Sequence, residues 1–152
     1  MRYSVIGGTR FQRHVTTATV DYMSNKLKLT RFPSLVVEIK LKKLQDGFNG
    51  FCSALPINDI RYKSREFVVE IDRTMTLMDF ITTICHELIH VKQYAYGEIK
   101  EDFRTGRQHW KSQTVPDKTV YRSLPWEKEA FKYEAQYAFE VFGMVNINFN
   151  GE

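Results

Sequence analysis

The sequence predicts an α+β fold, a small antiparallel sheet between an N-terminal helix and two later helices, in a single domain over residues 1–152. Three observations carry this. The apolar period is helical over residues 11–27, alternates over 37–41 and 67–71, and is helical again from residue 77. A chain of 152 residues has ordinary domain size. With 43% hydrophobic and 26% charged residues and no repeat or low-complexity stretch, its composition is that of a globular domain.

Each element has its own signal. Val15, Ala18, Tyr22 and Leu27 recur at near-helical spacing and define a first amphipathic helix from about Phe11 to Leu27. Val37, Ile39 and Leu41 alternate with Glu38, Lys40 and Lys42 in a half-buried strand, whose lysines, with Lys43, read as its solvated side. The run Gln45-Asp46-Gly47-Phe48-Asn49-Gly50 has turn chemistry and precedes a second strand near Phe51 to Ile57, which Pro56 is placed to end. Phe67, Val69 and Ile71 give a third strand.

The next helix is the best defined. Thr76 and Asp79 have capping-box spacing at its start, and Gly97 meets its end. At 100° per residue, Leu77, Phe80, Ile81, Ile84, Leu88, Val91 and Ala95 share one broad face. Asp79, Thr83, His86, His90 and Gln93 form a polar stripe opposite. From about Ile99 to Leu124 the periodicity is weak, yet Phe103, Trp110, Val115, Val120 and Tyr121 are too apolar for a free linker. This stretch is expected to fold over the polar stripe as a cleft wall. Ser123-Leu124-Pro125-Trp126 starts a last helix that continues through about Phe142.

Chemistry concentrates in His86-Glu87-Leu88-Ile89-His90, two imidazoles one helical turn apart with a carboxylate beside the first. This is the arrangement of two zinc ligands and a general base. Cys85, adjacent to His86, points about 100° away and reads as a small buried hydrophobe. A catalytic zinc takes three protein ligands. Downstream candidates are Glu98, Glu101, Asp102, His109, Glu127, Glu129 and Glu134. Glu127 and Glu134 project from the apolar face formed by Ala130, Tyr137, Ala138 and Val141, where a bare carboxylate is costly unless a cation or donor meets it. Glu129 falls with Lys132, Gln136 and Glu140 on the solvated flank.

The motif His86 to His90 followed by Glu127-Lys128-Glu129-Ala130 resembles the zincin metallopeptidases of gluzincin type, in which a glutamate from a second helix completes the metal site. The fuller pattern, with Tyr94, Trp110 and Pro125-Trp126, is similar to small phage and bacterial proteins described as SprT-like metallopeptidases. The likeness covers roughly residues 65 to 142. It implies a zincin-like domain, a Zn²⁺ cofactor held by His86, His90 and Glu127, and peptide hydrolysis with Glu87 as the catalytic base. Many gluzincins carry an aspartate just after the small residue to hold a ligand histidine; Phe131 stands there in this chain, so the partner must be Asp79, Glu134 or a backbone carbonyl. SprT itself uses a third histidine, a place His109 is spaced to take.

The expected substrate is a protein or peptide, paired with the third strand if that strand is the sheet edge beside the cleft. Tyr121, Tyr133, His109 or a loop arginine would stabilise the oxyanion. The alternative is a non-catalytic zinc-containing module that binds protein or DNA, possibly phage-encoded. The net charge of +4 is scattered over Arg10, Arg13, Lys40, Lys42, Lys43, Arg104, Arg107 and Lys111, so nucleic acid is permitted but weakly supported. No segment has the apolar length of a signal peptide or membrane span, which leads us to expect a cytoplasmic protein, in the host cytoplasm if phage-encoded, with Cys52 and Cys85 as free thiols.

Overall fold

The computed structural model describes residues 1–56, 63–102 and 104–150, the last four as backbone only. The class is α+β as expected, but the sheet differs from expectation. Strand β1 (Arg2–Gly7) precedes helix α1 (Arg10–Lys26), and β2 (Val36–Lys42), β3 (Gly50–Ala54) and β4 (Glu66–Asp72) follow. Their order is β1-β2-β4-β3, with β1, β2 and β4 parallel and only β3 antiparallel, so the sheet is mixed rather than antiparallel.

The correction has a local cause. Two adjacent parallel strands need a crossover, and α1 supplies it between β1 and β2. β1 escaped the sequence reading because it is an edge strand whose alternation fails at exposed Ile6. The second strand ends at Ala54, two residues before Pro56; its expected last residue, Ile57, lies outside the described residues.

One face of the sheet is apolar. Val37, Ile39, Leu41, Phe67, Val69 and Ile71 are buried and meet Val15, Val20 and Met23 of α1. The other face is polar and internally neutralised: Lys40 pairs with Glu38 at 3.3 Å and Lys42 with Glu70 at 3.4 Å. Thr9 caps α1 through a reciprocal box with Gln12, in which each backbone N–H is accepted by the other's side chain.

Helix α2 (Leu77–Ala95) carries the histidine motif and packs its apolar face into this core. Thr76 accepts the Asp79 N–H at its start. At its end Gly97 takes φ +75°, with Gly97 N–H donating to the Tyr94 carbonyl and Glu98 N–H to that of Gln93, a Schellman closure that a side-chain-bearing residue would strain.

Among the described residues, the stretch from Ile99 to Leu124 reaches the cleft, as expected, only through Tyr121 and Arg122, and most of it is not irregular loop. It forms a second, antiparallel sheet of β5 (Ile99–Asp102), β6 (Arg107–Trp110) and β7 (Gln113–Val115), followed by a 3-10 turn at Tyr121–Ser123. Its strands have three or four residues and mostly polar sequences, too short for alternation to register. Ile99 and Val115 pack with Trp126 in a small second core, which fixes the start of helix α3 (Pro125–Asn150). The expected Phe103 lies outside the described residues. α3 then packs on α2, burying Ala130, Ala138, Val141 and Val145. No helix among the described residues is long and apolar enough to cross a membrane.

Candidate metal centre

The polar stripe of α2 becomes the floor of a cleft of about 690 Å³. Residues Gly47 to Cys52, including the start of β3, form one wall, and Tyr121, Arg122, Phe131 and Glu134 form the other. His86 and His90, one turn apart, face Glu127 in the first turn of α3. All three are 5–7% exposed.

Their donor atoms converge. His86 Nε2 lies 3.0 Å from Glu127 Oε2, His90 Nε2 lies 3.2 Å from Glu127 Oε1, and the two Nε2 atoms are 3.1 Å apart. Ligands at 2.0–2.1 Å from a tetrahedral zinc are about 3.3 Å from one another. The three atoms thus outline a triangular face of nearly that size, and the group can hold a metal ion.

The hydrogen bonds behind the rings decide which nitrogens are available. His86 Nδ1 meets Glu134 Oε2 at 2.5 Å, and a carboxylate can only be the acceptor there. His90 Nδ1 meets Gln93 Oε1 at 2.8 Å, and the Gln93 amide is oriented because its Nε2 donates to the Trp126 carbonyl at 3.0 Å. Both Nδ1 atoms therefore carry hydrogen. In the neutral rings both Nε2 atoms point lone pairs at a space that the Glu127 carboxylate also faces. Three converging lone pairs repel unless a cation lies among them.

Protons fill that role in the absence of a metal. Burial opposes charge on His86, but hydrogen bonds to Glu127 and Glu134 outweigh it and raise its pKa to about 9. Burial would raise Glu127, yet the two imidazoles hold it at about 2. Metal binding would displace the shared proton.

Glu87 stands apart from this triangle and is 6% exposed. Burial raises its pKa to about 7, against the pull of His90 and His86 and with the push of Glu127 and Glu134. Gly50 of β3 lies directly over it: a Cβ there would come 2.7 Å from Thr83 Cγ2 and 3.0 Å from Glu87 Oε1. Only a residue without a side chain lets the strand approach this closely.

The remaining expectations divide. Glu134 supplies the partner for His86 and Asp79 does not. Phe131, where an aspartate was looked for, packs on the His86 ring with centroids 4.9 Å apart. Glu129 is turned away and binds Lys92 at 3.1 Å, and Glu98 binds the same lysine at 2.6 Å. His109 lies on β6, 3.5 Å from Thr114 Oγ1, outside the cleft. Tyr133 stacks on Tyr137, also outside it. Tyr121 lines the cleft, its phenol pKa raised by burial and by the Glu127 carboxylate. Cys85 is buried, and burial raises its thiol to about 12.

Gln93 and Gly50 were missed as site residues. Gln93 was legible as a member of the polar stripe three positions after His90; the role of Gly50 depends on a contact between distant segments. No family model, curated protein or solved structure matches the chain.

Proposed function

We propose that this protein is a zinc metallopeptidase of the HExxH type, a zincin-like domain in which His86, His90 and Glu127 hold the metal and Glu87 is the general base. The observation that carries this reading is the convergence of His86, His90 and Glu127 donor atoms beside a separate, buried carboxylate, Glu87. Two imidazoles and one carboxylate suit zinc better than magnesium or calcium, which prefer oxygen donors.

When bound, the ion supplies a Lewis acid that acidifies water and polarises a carbonyl. Glu87, buried beside the three converging groups, would accept a proton from water and return it to the leaving amine. Of the donors expected for a developing oxyanion, Tyr121 and the loop arginine Arg122 line the cleft, and Tyr121 keeps its proton at neutral pH. Glu134 and Gln93 hold the two ligand rings in one tautomer.

The peptide-pairing edge moves from the strand first expected. β4 is interior, between β2 and β3, whereas β3, among the described residues, pairs only with β4 and borders the cleft. An extended substrate would add to β3.

The non-catalytic module has less support, because a purely structural metal site has no use for Glu87. DNA binding has less as well, since Lys40, Lys42 and Lys43 are engaged by Glu38, Glu70 and Asp72 rather than arrayed for phosphates.

Elemental analysis after dialysis against a weak chelator tests the proposal, with Glu127→Ala, Glu129→Ala and Glu87→Gln beside the parent. Near-stoichiometric zinc is expected in the parent, Glu129→Ala and Glu87→Gln, and its loss in Glu127→Ala. Hydrolysis of an unfolded protein substrate should fall on the order of a hundredfold or more in Glu87→Gln. A parent that retains no zinc, or a Glu87→Gln protein as active as the parent, would overturn it.

A further inference from the structure

We infer that the substrate is a basic polypeptide segment, with a lysine or arginine on the C-terminal side of the scissile bond seated against Asp79. The inference rests on the peptidase reading above and adds a substrate class to it.

The sign of the cleft is the first observation. Asp79, Glu87, Glu127 and Glu134 line it, and Arg122 is the only lysine or arginine that does so among the described residues. Carboxylates thus outnumber basic side chains along it four to one among the described residues. The lining is acidic in a chain whose net charge is +4. Such a groove concentrates cationic segments and repels polyanions.

The second observation is Asp79 itself. It is exposed, and its carboxylate has no hydrogen-bond or ion-pair partner among the described residues. Glu127 and Glu134 are engaged by His86 and Glu87 is buried under β3, which leaves Asp79, among the described residues, as the cleft carboxylate available to a substrate cation.

Topology gives the position. Asp79 precedes His86 by seven residues on the same stripe, about 10 Å along the helix axis. An extended peptide advances about 3.3 Å per residue, so Asp79 stands two to three residues from the scissile bond, within the reach of a long basic side chain. Gly50 pairs with Ile71, close to the turn into α2. A substrate added antiparallel to β3 therefore runs from the Ala54 end to the Gly50 end, with its C-terminal side toward Asp79.

An acidic residue in the first turn of a helix also favours the helix dipole. That role affects stability and leaves sequence preference unchanged, so the two can be separated.

The experiment is cleavage-site profiling by mass spectrometry of an unfolded protein mixture digested by the zinc-loaded parent, Asp79→Asn and Asp79→Lys, with melting temperatures recorded. The parent should cut bonds enriched in lysine or arginine at the second or third residue after the bond. Asp79→Asn should lose about fivefold of that enrichment, the scale of one exposed ion pair, and Asp79→Lys should shift it toward acidic residues. As a readout that needs no turnover, a lysine-containing decapeptide should bind Glu87→Gln more tightly than its glutamate counterpart, and lose that advantage when Asp79→Asn is added. Cleavage without basic enrichment, or enrichment that survives Asp79→Asn, overturns the inference while leaving the peptidase reading intact. Absence of any cleavage by the zinc-loaded parent overturns both.

Discussion

At the residue scale, the site depends on one close approach and one set of tautomers. Gly50 lets β3 lie over Glu87, and the distances leave no room for a methyl group. Gly50→Ala should displace either the strand or the Glu87 carboxylate, cutting kcat/KM about tenfold or more while zinc per chain is unchanged. Because the nearest obstacle is Thr83 Cγ2, adding Thr83→Ser removes that methyl and should restore part of the loss. Unaltered kinetics in Gly50→Ala would show that the contact does not position the base. The tautomers follow from Glu134 and Gln93, and through Gln93 the His90 ring is tied to the peptide just before Glu127.

At the element scale, the entry into α2 is set by Asp72, the last residue of β4. Its Oδ1 accepts from the Thr74 N–H at 2.7 Å and the Thr74 hydroxyl at 2.5 Å, and Oδ2 accepts from the Leu44 N–H at 3.0 Å. The Thr74 hydroxyl first, then the backbone donors and Lys43, hold this carboxyl well below the usual carboxylate range. A group whose folded pKa is depressed adds stability above its unfolded pKa, near 4, and that stability is lost as pH falls toward the folded value. Asp72→Asn should therefore melt several degrees below the parent at pH 7, with the gap narrowing from about pH 4 downward. Melting curves of both proteins from neutral pH to pH 2 check this; a gap constant with pH would mean that the charge is irrelevant. The second sheet acts at this scale as well, because Ile99 and Val115 pack on Trp126 and so fix the turn that carries Glu127.

At the scale of the whole molecule, the centre joins α2 to α3, and α2 in turn is seated on the sheet. A ligand that binds only the folded chain stabilises it by about 2.7 kcal/mol at a hundredfold excess over Kd. For a domain of this size that is roughly 5–10 °C in Tm. Zinc should raise the melting temperature of the parent by that amount, a chelator should reverse it, and Glu127→Ala should respond to neither. An equal zinc shift in parent and Glu127→Ala would place the metal elsewhere.

The α+β class, the helix from Leu77 to Ala95 and its division into an apolar face and a polar stripe were legible in the sequence, because helical periodicity and caps are local properties of consecutive residues. Glu127 was legible as a candidate because a carboxylate on an apolar helix face demands a partner. The parallel pairing of β1, β2 and β4, the second sheet, and the choice of β3 over β4 as the cleft edge were decided only by tertiary structure. Strand pairing is a contact between segments far apart in the chain, and short strands carry too few alternations to announce it. The same reason hides the approach of Gly50 to Glu87: a glycine's freedom is visible in sequence, but what comes to rest against it is not.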